Sequence, residues 1–225
     1  YSGKLWAEAE TRLQEIIENR PKQGGFKDVN NLIKDAVTRL DELFKSDADI
    51  TGISTGFSDL DNMTSGWQKS DLIIVAGRPS MGKTSFAMNM VEHATLNQDR
   101  PVLVFSLEMP ASQLITRMLS SMGKIDQTRM RTGNLQEDDW PRLSSAAQRL
   151  KDKPLFIDDS AGITPFEMRS RIKQFTRERV EQLRQQWHKE YGADSQPDND
   201  ELYKQAQPGM IMVDYLQLMS GSNAS

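Results

Sequence analysis

The stretch Gly77-Arg78-Pro79-Ser80-Met81-Gly82-Lys83-Thr84 constrains this chain more than any other part of its sequence. Glycine, four residues, glycine, lysine and a hydroxyl residue form the pattern of a phosphate-binding loop. The apolar run Asp71-Leu72-Ile73-Ile74-Val75-Ala76 precedes it, and residues 83 to about 96 follow with Phe86, Met90 and Ala94 on one side of a helix. Such a run predicts a strand buried on both faces of a parallel sheet. Strand, glycine-rich loop and helix start, in that order, aim backbone N–H groups at a dense negative charge. Gly77 and Gly82 let the backbone curl around a phosphate where a side chain would collide. Lys83 then reaches the outer phosphates and the Thr84 hydroxyl takes a magnesium ion. Residues Gly77, Arg78, Pro79, Ser80, Met81, Gly82, Lys83, Thr84 and Ser85 are therefore the predicted site for ATP with Mg²⁺.

The rest of the chain repeats the alternation of apolar strand and amphipathic helix. Val102 to Leu107, Leu155 to Asp158 and Met210 to Asp214 read as further buried strands, with a helix through residues 113–122 between the first two. Strands alternating with helices predict an α/β fold with a mostly parallel, doubly wound sheet. Ahead of it lie two helical stretches. Leu5, Ala9, Leu13, Ile16 and Ile17 recur at helical spacing within residues 1–20, and Pro21-Lys22-Gln23-Gly24-Gly25 breaks the pattern. Val29, Leu32, Ile33, Ala36, Val37, Leu40, Leu43 and Phe44 then form an apolar stripe within residues 29–45. A stripe of that width must be covered, either by the chain's own domain or by a neighbouring subunit. Residues 1–20 are read as a helix ending a preceding domain, 21–50 as a linker, and 51–225 as the ATPase domain. Within that domain, residues from about 165 to 208 look like a surface excursion: a long charged helix to about Tyr191, then a polar stretch with a flexible acidic tip.

Composition narrows the classes. With 37% hydrophobic and 27% charged residues in 225, the chain has the balance of a soluble globular protein. No apolar run approaches the roughly 20 residues of a membrane span. The absence of cysteine fits a reducing cytoplasm and excludes thiolate metal sites. His93 and His188 are too few for a zinc site. A net charge of −4 argues against coating nucleic acid by bulk electrostatics. Two basic clusters exist, Arg117, Lys124, Arg129 and Arg131, and Arg169, Arg171, Lys173, Arg177 and Arg179, but no aromatics interleave with them as in a stacking platform for single strands. The chain starts without Met, which reads as a start inside a longer gene product.

Two carboxylates are needed beside the phosphate loop. One, at the end of another buried strand, holds the magnesium ion through water. Asp214 has the longer and cleaner apolar run before it, while Asp158 and Asp159 compete on local pattern. The other orients the attacking water. Glu108 follows its strand directly, at the sheet edge where ligands of such sheets sit; the rival reading is a helix-start residue that pairs with the helix dipole.

Several strings together resemble one family. Thr51-Gly52-Ile53-Ser54-Thr55-Gly56-Phe57, Arg78-Pro79-Ser80-Met81-Gly82-Lys83-Thr84, Ser106-Leu107-Glu108-Met109, Asp126-Gln127 with Arg131-Thr132-Gly133, and Asp214-Tyr215-Leu216-Gln217-Leu218-Met219 are similar to bacterial replicative DNA helicases of the DnaB family. The resemblance covers about residues 51–219 apart from the excursion. It implies a RecA-like P-loop core preceded by an α-helical linker, with Lys83 and Thr84 on ATP–Mg²⁺, Glu108 as catalytic carboxylate and Asp214 as the Walker B acid. It also implies a homohexameric ring joined through the helix within 29–45, acting on single-stranded DNA, with primase and a helicase loader as partners. The family's DNA-contacting loops and arginine finger fall beyond Ser225, so the chain reads as a piece that retains nucleotide binding. Two other readings remain: another RecA-like ring ATPase, or an interaction module with a structural nucleotide.

Overall fold

The strand Val102-Leu103-Val104-Phe105-Ser106 organises the molecule, because every one of its side chains is buried. The computed structural model describes residues 28–45, 50–192, 195–215 and 219. Its elements in chain order are α1 (Val29–Lys45), α2 (Ser58–Thr64), α3 (Lys83–Asn97), β1 (Val102–Ser106), α4 (Ala111–Gly123), α5 (Gln127–Thr132), α6 (Asp139–Leu150), β2 (Leu155–Asp158), α7 (Pro165–Tyr191), α8 (Asn199–Ala206) and β3 (Met210–Asp214). The three strands form a parallel sheet in the order β2-β1-β3. Val102 lies opposite both Leu155 and Met210, and Ser106 lies opposite Asp214.

Alternation along β1 divides the core into two layers. Val102 and Val104 pack with Met88, Val91 and Ala94 of α3, Leu114 and Met118 of α4, and Met212 of β3. Leu103, Phe105 and Leu107 pack the other way, with Ile163 and with Met168, Ile172 and Phe175 of α7. Helices on both faces of a parallel sheet give the α/β architecture expected from the strand–helix alternation. All three strand C-termini end on one edge of the sheet, which fixes where a ligand can meet several of them at once.

Two expectations need correction. The apolar run at residues 71–76 forms no strand, and Leu72 and Ile74 are 84% and 71% exposed. A strand exists only through a ladder with a neighbour, and among the described residues β3 pairs with β1 alone. The excursion is also more structured than a polar sequence suggests. α7 opens on a capping box between Thr164 and Glu167 and runs to Tyr191 as expected. Within the stretch read as a flexible acidic tip, residues 199–206 form α8. Its N-terminal N–H groups are taken by Asp198, and Leu202 and Ala206 are buried. α8 packs on α7, with Arg184 Nη2 donating to Asn199 Oδ1 at 3.1 Å.

The entry to the domain is held by polar contacts. Ile53 and Trp67 pair as an isolated antiparallel bridge. Ser54 Oγ donates to Asp61 Oδ2 at 2.7 Å, so its contact with His93 Nε2 at 2.9 Å requires the histidine to carry its proton there. Buried Asp139 gathers three donors, Arg129 Nη1, Arg142 Nη2 and the Gln136 N–H, and so joins α5 to α6. Residues 1–48 form a unit distinct from residues 49–225. In it, the apolar residues Val37, Leu40 and Phe44 of α1 are 60%, 64% and 87% exposed. The helix expected within residues 1–20 lies outside the described residues. No described helix is long and apolar enough to cross a membrane.

Candidate active site

The phosphate loop ends where α3 begins, and its backbone shows why glycine is needed. Gly82 sits at φ +85°, immediately before the first helical residue Lys83, in a region that L side chains rarely adopt. Gly77 is constrained less: an added Cβ would lie 3.2 Å from Cγ of Lys83, a tight contact to which the lysine side chain would have to yield. Ser80 also takes a positive φ of 63°. Arg78, Pro79, Ser80 and Met81 are exposed, and the Met81 N–H turns back to the Arg78 carbonyl at 3.3 Å. The first N–H groups of α3 have no partner earlier in the helix, as at any helix start, and present positive potential to the loop. The Lys83 Nζ lies 5.5 Å from the ring centroid of Tyr215, within cation–π range.

Across 130 residues of sequence, Thr84 Oγ1 donates to Asp214 Oδ2 at 2.8 Å. Asp214 is 7% exposed and closes β3, where its backbone carbonyl accepts from the Leu107 N–H at 2.7 Å. A hydroxyl has one proton and two lone pairs. With the proton committed to Asp214, the Thr84 lone pairs are left to face a cation. Among the described residues no group of three or more His, Cys, Asp or Glu side chains could hold a metal by itself. A hydroxyl, a nearby carboxylate and phosphate oxygens suit Mg²⁺, which keeps waters and takes few protein ligands. The donor set and the open backbone at Gly82, where nothing lies within 4 Å of an added Cβ, fit a magnesium–triphosphate.

The rival carboxylates are engaged elsewhere. Asp158 accepts from Arg171 Nη1 of α7 at 2.6 Å and from the Ser160 N–H at 3.0 Å. Burial favours its neutral form, but the bonds from Ser160 and Arg171 outweigh burial and hold its carboxyl below the usual carboxylate range. Asp159 Oδ2 accepts from the Ala111 N–H at 2.9 Å, at the start of α4. Sequence reading missed both engagements, and no local signal pairs Asp159 with Ala111 across 48 residues.

Glu108 follows β1 on the same sheet edge as Asp214, is exposed, and forms no hydrogen bond or ion pair among the described residues. Its turn is closed by Ser106, whose hydroxyl donates to the Met109 carbonyl at 2.6 Å. The basic clusters divide. Arg129 pairs with Asp139 and Arg171 with Asp158, which makes those two structural.

Comparison with known proteins agrees with this architecture. The sequence model of the DnaB-like helicase C terminal domain matches residues 52–184. A protein named replicative DNA helicase DnaB from Buchnera aphidicola is 43% identical over 221 residues, 97% of this chain and 42% of that protein. One of the same name from Haemophilus influenzae is 45% identical over 94% of this chain and 41% of its own length. The chain thus spans about two fifths of the length of these curated relatives. A solved ATPase domain superposes at a TM-score of 0.69 with 27% identity, covering 89% of this chain and 61% of its own. A DnaB-like replicative helicase whose structure was described with its interactions with primase matches in fold, at a TM-score of 0.60 and 24% identity, over 92% of this chain and 52% of its own.

Proposed function

This chain belongs to the family of DnaB-like helicase C-terminal domains, and from that premise we propose that it supplies the nucleotide site of an ATP-driven replicative DNA helicase. The observation that carries the proposal is the 2.8 Å bond from Thr84 to Asp214, which joins the phosphate loop to the strand-end acid. Residues Gly77 to Ser85 hold the triphosphate, with Lys83 neutralising charge at the outer phosphates. Thr84 would hold Mg²⁺ directly and Asp214 would hold it through water. A magnesium ion there would supply positive charge against the negative charge developing on the transferred phosphoryl group. Glu108 is the catalytic carboxylate that orients and accepts a proton from the attacking water.

The remaining assignments concern the assembly. The exposed stripe of α1 docks on a neighbouring copy and closes a homohexamer around single-stranded DNA. Primase and a helicase loader are its further partners, in the cytoplasm. The test is ATP hydrolysis and fork unwinding by the full-length gene product, wild type beside Glu108→Ala. The expected result is that wild type does both, while Glu108→Ala binds nucleotide and does neither. Hydrolysis without strand separation by the wild type overturns the helicase reading, and hydrolysis by Glu108→Ala overturns the role of Glu108.

A further inference from the structure

The turn that carries Glu108 is fastened at both ends by side chains to which the reading above gives no task. On the strand side, Ser106 is 1% exposed; its hydroxyl donates to the Met109 carbonyl at 2.6 Å and accepts from the Met109 N–H at 3.3 Å. On the helix side, the N–H of Ala111, first residue of α4, donates to Asp159 Oδ2 at 2.9 Å. Pro110 precedes α4 and provides no side-chain cap, so Asp159, arriving from the end of β2, takes that place. The Asp159 loop is itself anchored, because its neighbour Asp158 is gripped by Arg171 and by the Ser160 N–H. Between the two fastenings Glu108 stands exposed with no partner of its own among the described residues.

We infer that Asp159 and Ser106 are positioning residues for Glu108, a two-point clamp that fixes the backbone from which the carboxylate reaches the attacking water. The inference rests on the catalytic reading of Glu108. A glutamate without side-chain partners owes its position to its backbone alone. Each clamp removes freedom that the side chain cannot remove for itself. Asp159 does so by tying the end of β2 to the α4 start, and Ser106 by closing the turn onto β1. A displacement of about 1 Å at a reacting group costs up to about a hundredfold in rate. A purely structural cap would act on melting temperature alone.

The experiment uses the full-length gene product with Asp159→Ala, Asp159→Asn and Ser106→Ala, each in the wild-type and in the Glu108→Gln background. Turnover, KM, affinity for a fluorescent ATP analogue and melting temperature are read for each. Asp159→Ala and Ser106→Ala lower kcat about tenfold or more while nucleotide affinity stays within about twofold. Asp159→Asn keeps an acceptor oxygen and recovers most of the rate. In the Glu108→Gln background neither clamp substitution lowers the residual rate further, since no carboxylate is left to position. Unchanged kcat in both clamp variants overturns the proposal, as does a loss of equal factor in the Glu108→Gln background. Where one of the two alanine variants is too unstable to assay, the other decides alone, and an unchanged kcat in it overturns the proposal equally. If Glu108→Gln alone turns over at the wild-type rate, the catalytic reading of Glu108 falls and the clamp falls with it.

Discussion

Replacing Thr84 by valine removes one hydroxyl and keeps the side-chain shape, so it isolates what the bond to Asp214 contributes. That bond is 2.8 Å long and ends on a carboxylate that is 7% exposed. A hydrogen bond to a charged group contributes about 1.5–3 kcal/mol. For a domain of this size that corresponds to a fall in melting temperature of roughly 3–12 °C, at about 2–4 °C per kcal/mol. The functional loss is separate from the stability loss. On the proposed assignment, losing the hydroxyl removes a magnesium ligand, while the backbone N–H groups and Lys83 proposed to hold the phosphates remain. Nucleotide affinity is therefore measured twice, with magnesium and with excess chelator. Thr84→Val binds ATP like wild type in chelator, and loses about ten- to a hundredfold of the affinity that magnesium adds, about 1.4–2.8 kcal/mol. Thr84→Ser retains it. If magnesium tightens ATP binding to Thr84→Val as much as to wild type, the assignment of this hydroxyl to the metal is wrong.

Other substitutions test the remaining contacts and the exposed face of α1. Asp139→Ala strips a side chain of 0% exposure from two guanidinium groups at 2.7 and 2.8 Å. Breaking a buried pair costs about 3–5 kcal/mol, and since both arginines can return to water the expected loss is about 2–3 kcal/mol in chemical denaturation; a loss under about 1 kcal/mol refutes it. Burial pushes the Glu92 carboxyl up, against the Ser121 bond and the charges of Arg149 and His93. For Asp61, burial is outweighed by the Thr55 N–H and the Ser54 hydroxyl, which hold its carboxyl down. The raised group contributes stability below the ordinary glutamate range that is lost as pH rises through its folded value. The depressed group contributes stability above the ordinary aspartate range that is lost as pH falls through its folded value. Glu92→Gln therefore raises the melting temperature more at neutral than at acid pH, and Asp61→Asn lowers it at neutral pH and less in acid; the reverse ordering in thermal scans contradicts the assignment. Leu40→Ser with Phe44→Ser abolishes self-association in sedimentation experiments if the stripe of α1 joins subunits, and an unchanged oligomer contradicts docking.

The elements that could be read from sequence are those whose signal is local. The phosphate loop and α3 carry their own pattern, and Val102 to Ser106 announces a buried strand because each of its residues is apolar or small. The run at residues 71–76 is just as apolar, yet pairs with nothing among the described residues, because apolarity reports a tendency to be covered and not the identity of a ladder partner. α8 had a usable signal in Asp198 followed by Leu202 and Ala206, one turn apart, which the surrounding acidic residues masked. The choice of Asp214 over Asp158 and Asp159 illustrates the limit most directly. All three end apolar runs, and only the fold shows that Arg171 holds Asp158, Ala111 holds Asp159 and Thr84 holds Asp214.

Those partners also divide the labour among four carboxylates on one sheet edge. A carboxylate paired with arginine and a backbone N–H, as Asp158 is, has its lone pairs directed at cations and donors of its own domain, and it anchors α7 to β2. One that accepts from a helix N-terminus, as Asp159 does, is fixed against the dipole of α4. One that accepts from a single hydroxyl, as Asp214 does, has a second oxygen with no hydrogen bond among the described residues, which is what the proposed magnesium site requires. Glu108, exposed and unpaired among the described residues, is left as the carboxylate able to meet a molecule that arrives with the ligand. The same parallel sheet that forces the strand ends together thus separates their roles by what each meets on the way. The water-orienting role proposed for Glu108 needs a carboxylate within hydrogen-bond reach of the attacking water, and an unpaired one is free to make that bond.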